Sequence, residues 1–237
     1  MNEKEFLESY NIHDFDIPLT SVDMAIFAII AEELHVLLVK RIEHPSMGLY
    51  SLPGGFINLK TDQVLDDAAY RKLKEKTGIS SPYLEQVETI GGNQRDPRGW
   101  SVTSLYFALI DNNAVDDSAL GENALWLPVK LAKTKKLAFD HALLLEKAFE
   151  RLQSKTAYTA LPIELLPAEF TLTELQTIFE IILDRKLPVK SFRRRVQTSG
   201  VIEATGGSKI SGKRSAQLFR STGLDRNFIF PRPLVEK

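Results

Sequence analysis

The segment from Leu52 to Ile79 leaves the chain few choices. It opens Leu52-Pro53-Gly54-Gly55-Phe56, and the paired glycines permit a tight backbone turn. Asp62 to Thr77 is then predicted to be a helix, with Leu65, Ala69 and Leu73 at i, i+4 and i+8 as its buried stripe. Gly78 is a natural C-terminal stop. Lys72, Glu75 and Lys76 are related as i, i+3 and i+4, so they share one face of this helix. One carboxylate there stands between two ammonium groups. Charged lysines have no lone pair to give a metal and repel a divalent cation at ~4–6 Å, so this face is a poor metal site.

The elements around it read as mixed α/β. Met24–Ile30 and His35–Val39 flank Ala31-Glu32-Glu33-Leu34 as a hairpin. Strands are expected near 86–90, 101–110 and 124–128, and a helix over 139–152 closes this part of the chain. A boundary near Ser154–Tyr158 divides the 237 residues into 1–155 and 156–237. Charge divides at the same place. Residues 1–155 hold 17 Lys+Arg against 23 Asp+Glu, a net of −6; residues 156–237 hold 13 against 8, a net of +5. The stretch 185–220 has ten basic residues and one acid, Glu203. Such asymmetry points to an anionic partner for the second part.

That second part has a definite order. Thr171-Leu172-Thr173-Glu174 matches a capping box opening a helix to about Leu183. After the turn Asp184–Leu187, a helix Pro188–Thr198 is expected to bury Val189, Phe192 and Val196 and to end at Gly200. It presents Arg193, Arg194 and Gln197, with Lys190, Ser191 and Arg195 at its flanks. A hairpin follows, whose tip carries Ser208, Lys209, Ser211, Lys213 and Arg214. Helix, turn, helix and basic hairpin is the order of a winged helix-turn-helix. Arg and Gln suit base edges, whereas Lys and Ser more often position phosphates. One module binds DNA modestly, so a homodimer on a palindromic double-stranded site is expected. An exposed basic helix that contacts an acidic protein is the alternative.

Other classes are excluded or set as defaults. With no cysteine there are neither disulfides nor thiolate zinc sites. His13, His35, His44 and His141 are scattered without metal-ligand spacing and read as surface or packing residues. The run Met24–Ala31 is too short to cross a bilayer, so no membrane partner is expected. The acidic, polar start is unlike a signal peptide, which makes the cytoplasm the default location.

Leu52–Phe56 with Arg71–Ile79 resembles a Nudix box, a Gly-Gly loop and a helix ending Arg-Glu-apolar-x-Glu-Glu-x-Gly-apolar. In that pattern glutamates hold the divalent metals that drive pyrophosphate hydrolysis. Lys72 and Lys76 stand at two of those positions, Gln63 falls at an earlier one, and Gly55 to Arg71 is two residues longer than usual. Asn93-Gln94-Arg95-Asp96-Pro97-Arg98-Gly99-Trp100 resembles a segment of Nudix ADP-ribose pyrophosphatases. Arg95 and Arg98 suit bidentate pairing with a pyrophosphate, Lys40 and Arg41 offer two more cations, and Tyr50 or Trp100 could stack on an adenine. Gly54, Gly55, Arg71 and Glu75 complete the expected ligand-binding set.

Over nearly its whole length, including Phe170–Arg195, the chain resembles the NrtR-type Nudix-related transcriptional regulators, repressors of bacterial NAD-biosynthesis genes. The resemblance implies a Nudix-like α/β/α sandwich with a mixed sheet, followed by a winged helix. It further implies ADP-ribose, or a related NAD-derived nucleotide, as an effector that releases the protein from operator DNA. No catalytic residue, metal or required cofactor is expected. The alternative is an active Nudix hydrolase with an accessory nucleic-acid-binding domain.

Overall fold

The computed structural model describes residues 2–78, 83–111, 120–211, 214–224 and 228–234. Its first part is built on one mixed sheet. Strands β1 (Leu19–Ile30), β2 (Glu33–Lys40), β3 (Tyr50–Ser51), β4 (Gly54–Phe56), β5 (Tyr83–Asp96), β6 (Gly99–Leu109) and β7 (Ala124–Pro128) form it. The order is β3-β2-β1-β6-β5, with β4 pairing β1 and β7 pairing β2. β1 and β6 run parallel and the remaining pairs are antiparallel. The β1–β2 hairpin closes on Ala31 and Glu32, both with positive φ, as a two-residue turn between right-twisted strands requires.

β1 is buried on both sides because it is central, so it reads as an apolar run without alternation. Val22, Met24, Ile26 and Ala28 pack with Ala68, Ala69 and Leu73 of helix α2 (Leu65–Thr77). Ala25 and Phe27 face the other way, towards Leu144, Leu145, Ala148 and Leu152 of α4 (His141–Thr156). This is the expected α/β/α sandwich. Short helices α1 (Glu3–Ser9) and α3 (Val129–Ala132) complete the first part.

α2 starts three residues later than its pattern predicts. Asp62 is turned back to accept from Asn58 N–H (2.7 Å) and Arg71 Nε (2.8 Å). Asp67 accepts from the backbone N–H groups of Gln63 (2.9 Å) and Val64 (3.1 Å), which fixes the first turn at Leu65. Leu65 is consequently 37 % exposed rather than part of the buried stripe. Gly78 is left-handed and closes on Lys74 O, as expected.

The second part contains strand β8 (Phe170–Thr171), helices α5 (Leu172–Leu183) and α6 (Val189–Thr198), and a hairpin of β9 (Ile202–Ser211) and β10 (Arg214–Ser221) in the sheet order β8-β10-β9. Thr171 and Glu174 form the predicted capping box. Phe179 and Phe192 meet edge to face at 5.1 Å in a core with Leu175, Val196, Phe170 and Phe219. Val189 departs from expectation: it lies at the first turn of α6 and is 49 % exposed.

α5 belongs to two cores. Leu175 and Phe179 pack into the winged-helix core, whereas Ile178 and Ile182 are buried with Leu34, Val36, Leu145 and Leu152 of the first part. The Gln153 side-chain amide also donates to Ile182 O (2.8 Å), and Lys130 meets Asp184 at 2.9 Å.

Candidate functional site: a cationic cleft and a basic reading head

A cleft of about 410 Å³ opens where β1, β4, the end of β2 and the tip of the β5–β6 hairpin converge on the start of α4. The glycines make this convergence possible. β4 pairs with the start of β1, Val22 opposite Gly55 and Asp23 opposite Gly54. A Cβ on Gly54 would fall 2.2 Å from Asp23 Oδ1 and 2.5 Å from Val22 O. Gly55 has φ +154, and a Cβ there would meet Lys72 Cε at 2.8 Å.

Behind the cleft lies a buried charge cluster. Arg95 is 10 % exposed and clasps Asp140 through two bonds, Nε to Oδ2 (2.7 Å) and Nη2 to Oδ1 (3.1 Å), with Asp23 Oδ2 at 3.7 Å. His141 Nδ1 accepts from the Leu52 backbone N–H (2.9 Å), and its Nε2 lies 3.8 Å from Asp23. Burial pushes the His141 pKa down, against the pull of Asp23 and Asp140, which keeps the ring neutral. At the rim, Arg98 pairs with Asp96 through Nη2 (2.6 Å) and Nε (3.0 Å). The Arg98 bond holds the Asp96 carboxyl below its ordinary range and raises the guanidinium in turn. Arg98 lies 5.0 Å over the Phe56 ring, and Arg41 lies 4.7 Å over Phe139. Burial, then repulsion from Arg98, lowers the Arg41 pKa.

Of the residues expected at a ligand site, Lys40, Arg41, Gly54, Gly55, Arg95 and Arg98 line this cleft. Arg95 is not a free cation, however, because Asp140 already satisfies its fork. Tyr50 and Trp100 do not line the cleft. Tyr50 packs on the main core while its neighbour Ser51 faces the cavity, as alternation along a strand demands. The Trp100 indole lies across Gly91, 2.8 Å from where a Cβ would sit, on the side opposite Ser101. The aromatic rings that do line the cleft are Phe56 and Phe139. Sequence reading missed these, with Asp23, Asp96 and His141. Phe139 has φ +52, just before α4, and no local pattern marks it.

Arg71 and Glu75 also lie outside the cleft lining. Arg71 is bound to Asp62, with Nη1 at 3.2 Å from Glu75 Oε1, and Lys72 Nζ takes Glu75 Oε2 at 2.9 Å. Burial raises the Glu75 pKa, but Lys72 and Arg71 outweigh it and the net shift is downward. Both carboxylate oxygens are thus occupied by cations. No group of three or more His, Cys, Asp or Glu residues able to hold a metal occurs among the described residues. The helix of the Nudix-like segment therefore does not fit a divalent metal.

Fewer basic side chains of α6 and the hairpin point to solvent than the sequence suggests. Lys190, Arg194 and Gln197 are exposed on α6, with Ser191 partly so. Arg193 is turned back, donating to Thr173 Oγ1 (3.1 Å), and Arg195 donates to Pro233 O (2.7 Å), fastening the C-terminal segment. In the hairpin Ser208 and Lys209 are exposed, and Lys209 reaches Glu174 at 2.7 Å. Ser211 and Arg214 are described only by their backbone pairing, and Lys213 lies outside the described residues.

Two family models match. The Nudix domain model covers residues 20–148, and the model of the NrtR DNA-binding winged helix domain covers 162–221. An ADPR responsive transcriptional repressor, NtrR, of Acinetobacter baylyi is 53 % identical over 234 residues, 98 % of this chain and 94 % of that protein. Shewanella oneidensis NrtR complexed with a 27mer DNA has a TM-score of 0.87 at 39 % identity, covering 92 % of this chain and 99 % of that one. The Nudix domain of the same protein complexed with ADP ribose has a TM-score of 0.59 at 42 % identity, covering 64 % of this chain and 99 % of that one. The matches span both parts of the molecule, and the chain belongs to the NrtR family of Nudix-related transcriptional regulators.

Proposed function

We propose that the chain is a bacterial transcriptional repressor that holds operator DNA through α6 and the β9–β10 hairpin and releases it when ADP-ribose fills the cleft beside Gly54 and Gly55. The names of its Acinetobacter and Shewanella relatives support this reading. Residues 1–155 are assigned to sensing and 156–237 to DNA binding. The protein acts in the cytoplasm as a homodimer on a palindromic site near genes of NAD metabolism. It binds its effector without hydrolysing it and needs no metal cofactor, because Lys72 and Arg71 occupy the one carboxylate of the α2 face.

The observation that carries the mechanism is the reach of α4. At its N-terminus His141 lines the cleft and Asp140 holds Arg95 of the cleft lining, while Leu145, Leu152 and Gln153 further along hold α5. Sixteen residues at 1.5 Å each make a rod of about 24 Å between effector and reading head. An effector that favours one setting of Asp140 and Arg95 biases the seat of α5, and α5 shares its core with α6. The ligand then shifts the population towards the arrangement that binds DNA poorly.

A gel shift on the DNA upstream of the chain's own gene tests this. Retarded DNA that is freed by ADP-ribose is the expected result. Retardation indifferent to ADP-ribose would refute the effector, and no retardation would refute the operator assignment.

A further inference from the structure

We infer that Lys76, together with Lys40, supplies the counter-charge for the effector's diphosphate that a divalent metal supplies in a Nudix hydrolase. Effector binding is then independent of metal. This inference rests on the reading of the cleft as an ADP-ribose site.

Five cations line the cleft: Lys40, Arg41, Lys76, Arg95 and Arg98. Three of them are already committed. Arg95 is clasped by Asp140 and Arg98 by Asp96. Arg41 donates to Pro45 O (2.7 Å) and Glu43 O (3.4 Å) while lying over Phe139. Lys40 and Lys76 have no side-chain hydrogen bond or ion pair among the described residues. With Asp140 on Arg95 and Asp96 on Arg98, the lining cations left without a side-chain partner among the described residues are Lys40 and Lys76. A diphosphate carries one negative charge on each phosphate, so the two ammonium groups can each meet one of them.

The Nudix-like helix explains why the role falls to Lys76 and not to Lys72. The ammonium of Lys72 is held by Glu75 at 2.9 Å, and its stem lies on Gly55. Lys76, one position beyond Glu75, is the residue of α2 that reaches the cleft lining. A partly buried ammonium approaching a phosphate oxygen makes a charge-assisted hydrogen bond, and its loss weakens binding by about ten- to a hundredfold.

The test is calorimetric titration of the full chain with ADP-ribose, once in EDTA and once in Mg²⁺. The wild type is expected to bind with the same affinity in both, within about twofold. Lys76→Gln should weaken binding by about ten- to a hundredfold in both buffers, and Lys40→Gln should weaken it in the same direction. Unchanged operator binding by the effector-free variants shows that they are folded. A wild type that binds only with Mg²⁺, or a Lys76→Gln protein that binds like the wild type, overturns the inference and leaves the ADP-ribose site standing. Absence of binding in both buffers overturns the ADP-ribose reading itself, and this inference with it.

Discussion

Replacing Arg95 by alanine separates an architectural arginine from a ligand-binding one. Its guanidinium is buried to 10 % exposure and holds Asp140, itself 18 % exposed, by two short bonds, with Asp23 at 3.7 Å behind it. Removing it leaves two largely buried carboxylates without their cation at the floor of the cleft. Breaking one side of a buried pair costs about 3–5 kcal/mol, a large share of the ~5–15 kcal/mol that stabilises an ordinary protein. At about 2–4 °C per kcal/mol for a chain of this size, Arg95→Ala should melt roughly 10 °C below the wild type. Asp140→Ala should cost less, because Asp23 still faces Arg95. The double replacement Arg95→Leu with Asp140→Leu should recover most of the loss, since no charge is then stranded. Thermal and urea denaturation of all four proteins measures the loss and its recovery. The reasoning is refuted if Arg95→Ala melts with the wild type but has lost effector affinity, which would make Arg95 a direct ligand group.

Three further outcomes are expected. Arg194→Ala, at an exposed position of α6, should abolish operator retardation in a gel shift and leave the calorimetric response to ADP-ribose intact; unchanged DNA affinity would mean that α6 is not the reading helix. Incubation with ADP-ribose and Mg²⁺ or Mn²⁺ should release no AMP, followed by chromatography, and robust metal-dependent turnover would favour a working hydrolase. Glu85 joins β5 to α4 through Arg151 (2.8 Å) and Lys155; burial raises its pKa, but those cations and Tyr83 outweigh it and hold it below its ordinary 4.5. Its stabilising contribution is therefore present above the ordinary carboxylate range and lost as pH falls through the depressed folded value, so Glu85→Gln should flatten the acid limb of a stability–pH curve.

What the sequence disclosed was local. The capping box at Thr171 and Glu174 and the stop at Gly78 each act within a few residues, and the structure uses both as their spacing suggested. Gly54 and Gly55, expected to make a tight turn, lie instead in β4, where the missing Cβ atoms admit Asp23, Val22 and Lys72. The limits of β7 were equally plain, because apolar residues and a terminal proline bound it. What remained hidden was non-local. Arg95 finds Asp140 forty-five positions away, and Leu52 finds His141 at a separation of eighty-nine. No pattern in the 95–98 segment reveals that its first arginine is spent inside the protein. Tyr50 and Trp100 were placed by residue type, while the faces they occupy were set by strand register. Along one basic run Arg193 is expected beside Arg194 on the presented face and Arg195 at its flank, yet Thr173 and the carbonyl of Pro233 claim the side chains of Arg193 and Arg195.

The central claim is that the cleft and the reading head are coupled through α4 and α5. Coupling between two binding sites is reciprocal, so one measurement tests it directly. The ADP-ribose affinity of the chain should be determined with and without saturating operator DNA. The claim predicts that operator weakens ADP-ribose binding by the same factor by which ADP-ribose weakens operator binding. An ADP-ribose affinity unmoved by operator would contradict it.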